Sequence, residues 1–427
     1  MTETQQNDLS ISGYENLVWA KKWLIPDIII HLKKKIRPDQ LKEAVVSALE
    51  LHPWYQTRLI VNDRHEPVRI KNTEPPIIKR FNMDEPILYG TAEYHYYSWL
   101  VRYTDYKIVV SISHMLSDGT GALNFIKSVL QFYFEKTGDL PATVLPEEMD
   151  LAYTTTENAY LKYGMGNQTP KNKGAEIQAS KIPDKILSAD QENVPTHRIV
   201  IEKRKIKELC SEFDVRPVTI TSAIFAKALA ETIDFPEGII QLPVPVNCRP
   251  YFPSNTDRNF IYVAPLNYDI AKMKGADLKT AAQALNRQFK AIVNPEDMQT
   301  FFQEVSDLTS VFKQSVEGAY EIRNKANEYN DDRTATICYT HITHTNMPEA
   351  FNAFIENIEI AALPPREGSV VYIVGINFGD HITFSIKNII KGNAFIKNLT
   401  QILEQEKIDY TLSQSRHKCL AKFYTVK

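Results

Sequence analysis

The sequence predicts an α/β protein built from two similarly folded halves, and three observations lead to this prediction. Strand-like segments alternate with segments of helical periodicity in both halves of the 427-residue chain. Residues 136–192 are rich in turn-forming and polar residues and lack hydrophobic periodicity, which is typical of a linker. The two halves also share a short internal similarity. We therefore expect one domain over residues 1–185, including most of the linker-like stretch, and a second over residues 186–427.

In the first half, β-branched runs predict the strands and apolar residues three and four positions apart predict the helices. The helix that begins at Pro38 is stopped by Pro53. A tyrosine-rich stretch precedes the last strand, and a loop over residues 114–121 follows that strand. The predicted elements are strands at 27–32, 57–61 and 107–113, the helix from Pro38 and a helix at 123–134.

The second half repeats this mixture of strands and helices. Thr219 is predicted as the N-cap of the second helix, because its hydroxyl can accept from a backbone N–H of the first turn. The predicted elements are strands at 196–201, 238–246, 260–267, 334–345, 369–378 and 381–386, and helices at 206–213, 219–232 and 395–405.

The internal similarity joins a strand, a loop and a helix in each half. IVVSIS and NFIKSVLQF in the first half resemble HITFSI and AFIKNLTQI in the second. This indicates a pseudo-dimer within one chain. The first loop carries His114 and Asp118, whereas the second carries Asn388 and Lys391, so we expect one reactive centre and not two.

Composition excludes several classes of function. Lys plus Arg (49) against Asp plus Glu (52) leaves a net charge of −3, which disfavours sequence-independent nucleic-acid binding. The 15 glycines form no glycine-rich nucleotide cradle, and the four scattered cysteines form no CxxC pair. No signal peptide is recognisable, and the longest apolar runs are about half of the roughly 20 residues that a membrane helix needs. We expect a soluble, cytoplasmic protein.

The segment HMLSDG places His114, Asp118 and Gly119 in one short loop after an apolar strand. A neutral imidazole can remove a proton from a hydroxyl or amine near neutral pH. Gly119 is expected to permit a sharp turn, and Gly121 to ease entry into the next helix. The alternative is a capped turn, with Asp118 as N-cap and His114 as an ordinary half-buried side chain. Spacing alone does not decide between the two.

HMLSDG resembles the HxxxDG core of the chloramphenicol acetyltransferase-like acyltransferases, a superfamily that includes peptide-synthetase condensation domains and alcohol acetyltransferases. A second block, VPVNCRPY followed by Asn259 and Phe260, resembles the family's strand that ends in an Arg-Pro pair. The opening order of strand, helix, His-Pro and strand also fits, so the resemblance covers almost the whole chain. It implies two chloramphenicol acetyltransferase-like domains that form an internal pseudo-dimer, each a mixed sheet flanked by helices.

The resemblance also implies roles for individual residues. His114 would be the general base, and Asp118 would pair with Arg249 and hold the loop in shape together with Gly119. No covalent acyl-enzyme is implied, in agreement with the absence of a G-x-S-x-G elbow. A hydroxyl from a strand of the second half would stabilise the oxyanion; Thr345 is the first choice, with Thr343 on the same predicted strand face.

Two departures from the family's patterns narrow the resemblance. Ser113 stands where many members carry a second histidine, which disfavours a peptide-bond-forming condensation domain. The Asp-Phe-Gly-Trp-Gly block of the plant enzymes is missing, and the most similar local sequence is INFGD at residues 376–380. The alcohol acetyltransferase branch therefore fits better.

The implied activity is transfer of an acyl group from coenzyme A to a small-molecule alcohol or amine, with acyl-CoA as co-substrate and no bound cofactor. The first alternative takes the acyl group from the phosphopantetheine arm of a carrier protein and forms an ester or amide. The second is a catalytically silent binding protein of the same fold.

Other polar residues receive structural interpretations. Cys338, His341 and His344 suggest a metal site, but strand alternation turns 341 away from the other two and a fourth ligand is missing, so no metal is predicted. Lysines 33–35 with Arg37 are interpreted as a solvated turn, a contact with coenzyme A phosphate being the alternative. Three histidines are interpreted as surface or core residues: His52, His95 and His381.

Overall fold

The structure is a computed structural model. It describes residues 11–20, 26–62, 67–141, 156–164, 179–191, 193–314, 336–365, 369–415 and 421–423.

Within these residues the α-helices are α1 (Gly13–Ala20), α2 (Pro38–Leu51), α3 (Gly119–Lys136), α4 (Ala159–Gly164), α5 (Lys203–Phe213), α6 (Pro217–Ile233), α7 (Ile270–Met273), α8 (Leu278–Ile292), α9 (Pro295–Gln314) and α10 (Ala394–Gln405). Short 3₁₀ helices lie at Ala92–Tyr94, Asp184–Ile186 and Glu349–Ala353.

The strands of the described residues are β1 (Ile28–Leu32), β2 (Thr57–Val61), β3 (Pro67–Lys71), β4 (Ile78–Arg80), β5 (Ile87–Tyr89), β6 (Trp99–Tyr103), β7 (Lys107–Ile112), β8 (Thr196–Glu202), β9 (Ile239–Asn247), β10 (Ile261–Asp269), β11 (Ile337–Ile342), β12 (Ile355–Ile360), β13 (Val371–Phe378), β14 (His381–Asn388), β15 (Tyr410–Ser415) and β16 (Ala421–Phe423).

Two five-stranded mixed sheets organise the fold. The first has the order β12-β1-β7-β6-β4 and the second the order β11-β13-β14-β8-β15. Each contains one parallel pair at an edge, β4 with β6 in the first and β11 with β13 in the second, and its other pairs are antiparallel. Three two-stranded sheets pair β2 with β3, β9 with β10 and β5 with β16. The predicted fold class, with two mixed sheets flanked by helices, is confirmed.

The two halves of the chain are interleaved at the first sheet. Strand β12 comes from the second half of the sequence and pairs antiparallel with β1, with Ile28 opposite Ile360 and Ile30 opposite Ile358. Strand β16, near the C-terminus, pairs with β5 of the first half. The division at residues 185 and 186 stays a prediction.

Each sheet buries a core against helices. In the first half, α2 and α3 pack together and cover the face of β1 and β7 that carries Ile28, Ile30 and Val110. In the second half, α6 packs between α8 and α10 and joins the core over the second sheet. This apolar burial is the main stabilising contribution to both halves.

The internal similarity corresponds to the β7–α3 and β14–α10 units. Both strands occupy the middle of their five-stranded sheet, and both run into a helix after a short loop. The loop after β7 carries the HMLSDG motif.

Two sequence expectations differ from the structure. Arg216, not Thr219, is the N-cap of α6, because Pro217 begins the helix and Thr219 lies inside it. Strand β11 ends at Ile342, so Thr343 and Thr345 lie beyond it in a loop. Most of the linker-like stretch lies outside the described residues, although α4 falls within it.

Within the part of the chain that the structure describes, no helix combines the length and apolar character needed to cross a membrane.

Candidate active site

The HMLSDG loop connects the central strand β7 to the long helix α3. Ser113 extends the strand by one bond, donating its N–H to the Ser98 carbonyl, and Leu116 N–H donates to the Ser113 carbonyl to close a turn. Helix α3 begins at Gly119. The loop is therefore held at one end by the sheet and at the other by a helix.

Asp118 caps α3 and also fixes a second segment. Its Oδ1 accepts from Gly121 N–H at 2.9 Å, which satisfies one of the free donors of the first helical turn. Its Oδ2 accepts from Arg249 Nη1 at 2.9 Å and from Phe260 N–H at 2.8 Å. The carboxylate is thus the N-cap that the capped-turn interpretation predicts and also the partner of Arg249 that the resemblance implies.

Arg249 uses all five of its N–H donors. Nη1 donates to Asp118 Oδ2 and to Asn247 Oδ1. Nε donates to the Thr256 carbonyl, and Nη2 donates to the carbonyls of Thr256 and Arg258. A buried guanidinium is tolerated when every donor is paired. The loop between β9 and β10 is thus tied to the start of α3.

The ring of His114 is held in one tautomer. Nδ1 lies 3.0 Å from the Ser117 carbonyl oxygen, which can only accept, so Nδ1 carries the proton and Nε2 keeps its lone pair. Within the described residues Nε2 has no hydrogen-bond partner, and the side chain is partly exposed. The ring of Tyr14 on α1 meets the imidazole edge to face at 6.4 Å. Asn259 Nδ2 donates to the His114 carbonyl at 2.8 Å.

Burial lowers the pKa of His114 below its ordinary value of 6.5. Desolvation disfavours the imidazolium, and it outweighs the opposing effects of the backbone carbonyls, of the Asp118 carboxylate and of the Asn259 side chain. The imidazole is therefore neutral at pH 7, with a basic nitrogen available at Nε2.

Close approach explains the two glycines of the motif better than turn flexibility does. Neither Gly119 nor Gly121 has a positive φ, contrary to the expectation of a sharp glycine turn. A Cβ on Gly121 would lie 2.1 Å from the Asp257 carbonyl oxygen and 2.3 Å from Ser117 Oγ. A Cβ on Gly119 would lie 2.9 Å from Ile342 Cδ1. Gly121 needs glycine because backbone atoms occupy the space, whereas at Gly119 the space is occupied by the end of a flexible side chain.

The proposed oxyanion donors lie in the loop after β11. Thr345 and Thr343 are both partly buried. The Thr343 carbonyl accepts from Asn377 Nδ2 at 2.9 Å. Among the described residues, no hydrogen bond joins Thr345 to His114. The end of β11 nevertheless reaches the motif, because Ile342 abuts Gly119.

The other candidates from the sequence lie elsewhere. His341 Nε2 lies 2.8 Å from Asn377 Oδ1, and no cluster of three or more metal-ligating side chains exists in the described ranges. Lys34 bonds Asp139 and, with Lys35 and Arg37, lines a cavity of about 50 Å³ that does not include His114. His95 bonds the Pro75 carbonyl.

The segment that contains His52 and Trp54 lies behind the HMLSDG loop and was not predicted to belong to the site. His52 was interpreted as an ordinary histidine, yet it bonds Asp257 Oδ2 at 2.7 Å. Trp54 Nε1 donates to the Leu116 carbonyl at 2.6 Å. The available signal was the His-Pro pair itself, which belongs to the opening pattern of the family.

Comparisons with known proteins agree on the fold. No family model and no curated protein matched the sequence. The structure of TRI101 from F. graminearum, complexed with ethyl coenzyme A, superposes with a TM-score of 0.64 at 11% identity, covering 94% of this chain and 99% of that one.

Two further structures extend the comparison to other activities. TRI3 trichothecene 15-O-acetyltransferase from Fusarium sporotrichioides gives a TM-score of 0.57 at 13% identity, with 93% of each chain covered. The epimerization domain from the third module of tyrocidine synthetase B gives 0.55 at 9% identity, covering 93% of this chain and 95% of that one. The chain thus shares its fold with an acetyltransferase and with a peptide-synthetase domain, in agreement with the fold that the sequence resemblance implies.

Proposed function

We propose that the protein is an acyltransferase that moves an acyl group from a coenzyme A thioester to a hydroxyl or amine of a small molecule. The observation that carries the proposal is the unpartnered Nε2 of His114, whose lone pair is fixed by the bond from Nδ1 to the Ser117 carbonyl. The fold shared with a coenzyme A-bound protein and with a trichothecene 15-O-acetyltransferase supports it.

In the proposed reaction, Nε2 of His114 removes the proton from the acceptor hydroxyl while the acceptor oxygen attacks the thioester carbonyl carbon. The carbonyl π electrons move to oxygen and form a tetrahedral oxyanion. When this intermediate collapses, the C–S bond breaks and the thiolate of coenzyme A takes the proton from Nε2. The products are an ester and the free thiol, and His114 returns to its neutral form. An amine acceptor follows the same course and yields an amide.

Asp118 and Arg249 support this reaction without touching the reacting atoms. Asp118 caps α3 and, with Arg249, joins the motif to the loop between β9 and β10, and that loop also supplies Asn259 to the His114 carbonyl. The imidazole is thus held from both sides of the site. The transient imidazolium keeps its bond from Nδ1 to the Ser117 carbonyl.

Thr345 is proposed as the donor to the oxyanion. Its position just beyond β11, close to the point where Ile342 abuts Gly119, supports this role. A hydroxyl donor aimed at the developing negative charge is a common form of transition-state stabilisation.

The second candidate function uses the same base but a different donor. The fold shared with a domain of tyrocidine synthetase B supports an acyl group delivered by a carrier protein. In that case the phosphopantetheine arm replaces coenzyme A as the leaving thiol.

The test is thiol release measured with a panel of alcohols and amines, once with acetyl-CoA and longer acyl-CoAs and once with an acylated carrier protein. Release that requires both an acceptor and His114 supports an acyltransferase, and the faster donor decides between the two candidates. Acceptor-independent release, or release equal in His114→Ala, contradicts both. Undetectable release in every combination favours the catalytically silent binding protein.

A further inference from the structure

A buried serine–histidine–aspartate chain lies behind the HMLSDG loop. His52, at the end of α2, has Nδ1 2.7 Å from Asp257 Oδ2 and Nε2 2.8 Å from Ser128 Oγ on α3. The exposed fractions of His52, Asp257 and Ser128 are 2%, 0% and 3%. The order of groups is that of a nucleophilic triad, but a buried hydroxyl cannot reach a substrate. Any effect of these three hydrogen-bonded side chains on the reaction must therefore pass through neighbouring residues.

The chain is connected to His114 through two hydrogen bonds. The Asp257 carbonyl accepts from Ser117 Oγ at 2.5 Å, and the Ser117 carbonyl accepts from His114 Nδ1 at 3.0 Å. The contact between Ser117 Oγ and the Asp257 carbonyl is tightly packed, since both atoms lie against Gly121, in the space that a Cβ would occupy. A shift of Asp257 therefore moves the group that orients the imidazole.

His52 determines where Asp257 lies. Asp257 Oδ2 accepts from His52, while Oδ1 is buried and has no hydrogen-bond partner in the described residues. A buried carboxylate with one paired oxygen depends strongly on that pairing. Without the donor at His52, the carboxylate must turn toward another donor or toward water, and its backbone carbonyl moves with it.

We propose that His52 is a positioning residue that orients the His114 imidazole through Asp257 and Ser117. The inference rests on the proposed function, in which His114 Nε2 is the base. It assigns a role to the His-Pro pair that follows the first long helix, which the motif residues leave unexplained.

The first test separates the two hydrogen bonds of His52. An asparagine amide reaches the place of Nδ1, so His52→Asn can still donate to Asp257. A glutamine amide reaches the place of Nε2, so His52→Gln bonds Ser128 and leaves Asp257 unpaired. We expect kcat to fall about 10- to 100-fold in His52→Gln with KM changed less than about threefold, and a smaller loss in His52→Asn, because misplacing a catalytic group by about 1 Å can cost about 100-fold.

The matched control is His31→Asn. His31 also pairs with a carboxylate, with Nε2 2.8 Å from Glu359 Oε1, but it lies on β1. Because the shorter asparagine amide does not reach the place of Nε2, this variant loses the bond to the carboxylate, as His52→Gln does. It should keep kcat within about twofold. Equal kcat in folded His52→Gln and wild type overturns the proposal, as does an equal loss in His31→Asn.

The second test cuts the same connection at a different bond. Ser117→Ala removes the hydroxyl that bonds the Asp257 carbonyl and leaves His52 and Asp257 paired. If both residues act through one connection, the double variant His52→Gln/Ser117→Ala should be no slower than the slower single variant. Fully multiplicative losses contradict a shared path.

A third readout needs no substrate. The ¹⁵N chemical shifts of the His114 ring report its tautomer, and the wild type should show a protonated Nδ1. We expect a mixture of tautomers in His52→Gln and the wild-type tautomer in His31→Asn. An unchanged ring in folded His52→Gln refutes the positioning role, even if the protein transfers no acyl group. Loss of the proposed function alone would instead appear as activity that is independent of His114.

Discussion

The Asp118 carboxylate and the Arg249 guanidinium lie 2.9 Å apart although 131 residues separate them in the chain. Their side chains are 2% and 6% exposed, so water does not screen the pair. The contact joins the HMLSDG motif, at the N-cap of α3, to the segment after β9. The HMLSDG and VPVNCRPY blocks are therefore held together by this ion pair.

Replacing Asp118 by asparagine should lower the free energy of unfolding by about 3–5 kcal/mol. The amide cannot accept from Gly121, Arg249 and Phe260 at once, and it leaves a buried guanidinium without its countercharge. Urea denaturation of the purified variant measures this loss. Glu208→Gln is the control, because its partner Arg204 is 76% exposed and the loss there should stay below about 1 kcal/mol. Equal stability of Asp118→Asn and wild type would reject the structural role.

The pH dependence of kcat/KM should show an acidic limb. Nε2 acts as a base only when His114 is neutral, and burial lowers the pKa of this histidine below 6.5. Activity should therefore be constant around pH 7 and fall tenfold per pH unit below the His114 pKa. The profile is recorded under conditions where circular dichroism shows a folded protein. A midpoint above pH 7, or a flat profile down to pH 4, would contradict this assignment.

Replacing Thr345 by valine should lower kcat about 10²–10³-fold, because the oxyanion would lose a hydrogen-bond donor while the shape of the side chain is kept. Steady-state kinetics with a reactive acceptor measure the effect. Thr343→Val is the matched variant from the same loop and should stay within about threefold of wild type. A large loss in Thr343→Val alone would transfer the role to that residue.

Gly121→Ala should destabilise the protein by about 3 kcal/mol, since the new methyl group would collide with the Asp257 carbonyl oxygen. Gly119→Ala should cost about 1 kcal/mol or less, because the end of the flexible Ile342 side chain can move aside. Thermal or urea unfolding compares the two variants. Equal losses of unfolding free energy in the two variants would contradict the difference in packing inferred for Gly119 and Gly121.

Much of the fold was predictable because local patterns and the structure agree. The spacing of Leu41, Val45 and Ala48 predicts α2, and the β-branched residues of β7 predict the strand that carries the motif. The helices α8 and α9 were missed, although Asp277 caps α8 and its apolar residues recur at helical spacing. The strand exchange of β12 was not predictable, since pairing between distant strands leaves no local signal.

The site was predictable where a family motif marks it. His114, Asp118, Gly119 and Arg249 stand in the two matched blocks, and the structure brings these blocks together. The connection from His52 through Asp257 was not predictable, because its members are ordinary core residues in sequence. Only the folded chain reveals that their hydrogen bonds end at the imidazole.

The most direct test of the account is the kcat/KM of His114→Ala with the best acyl donor and acceptor. The account predicts a loss of about 10²–10⁴-fold, the usual contribution of general base catalysis, in a protein that unfolds like the wild type. A folded His114→Ala variant that transfers acyl groups within about threefold of the wild-type rate would contradict it.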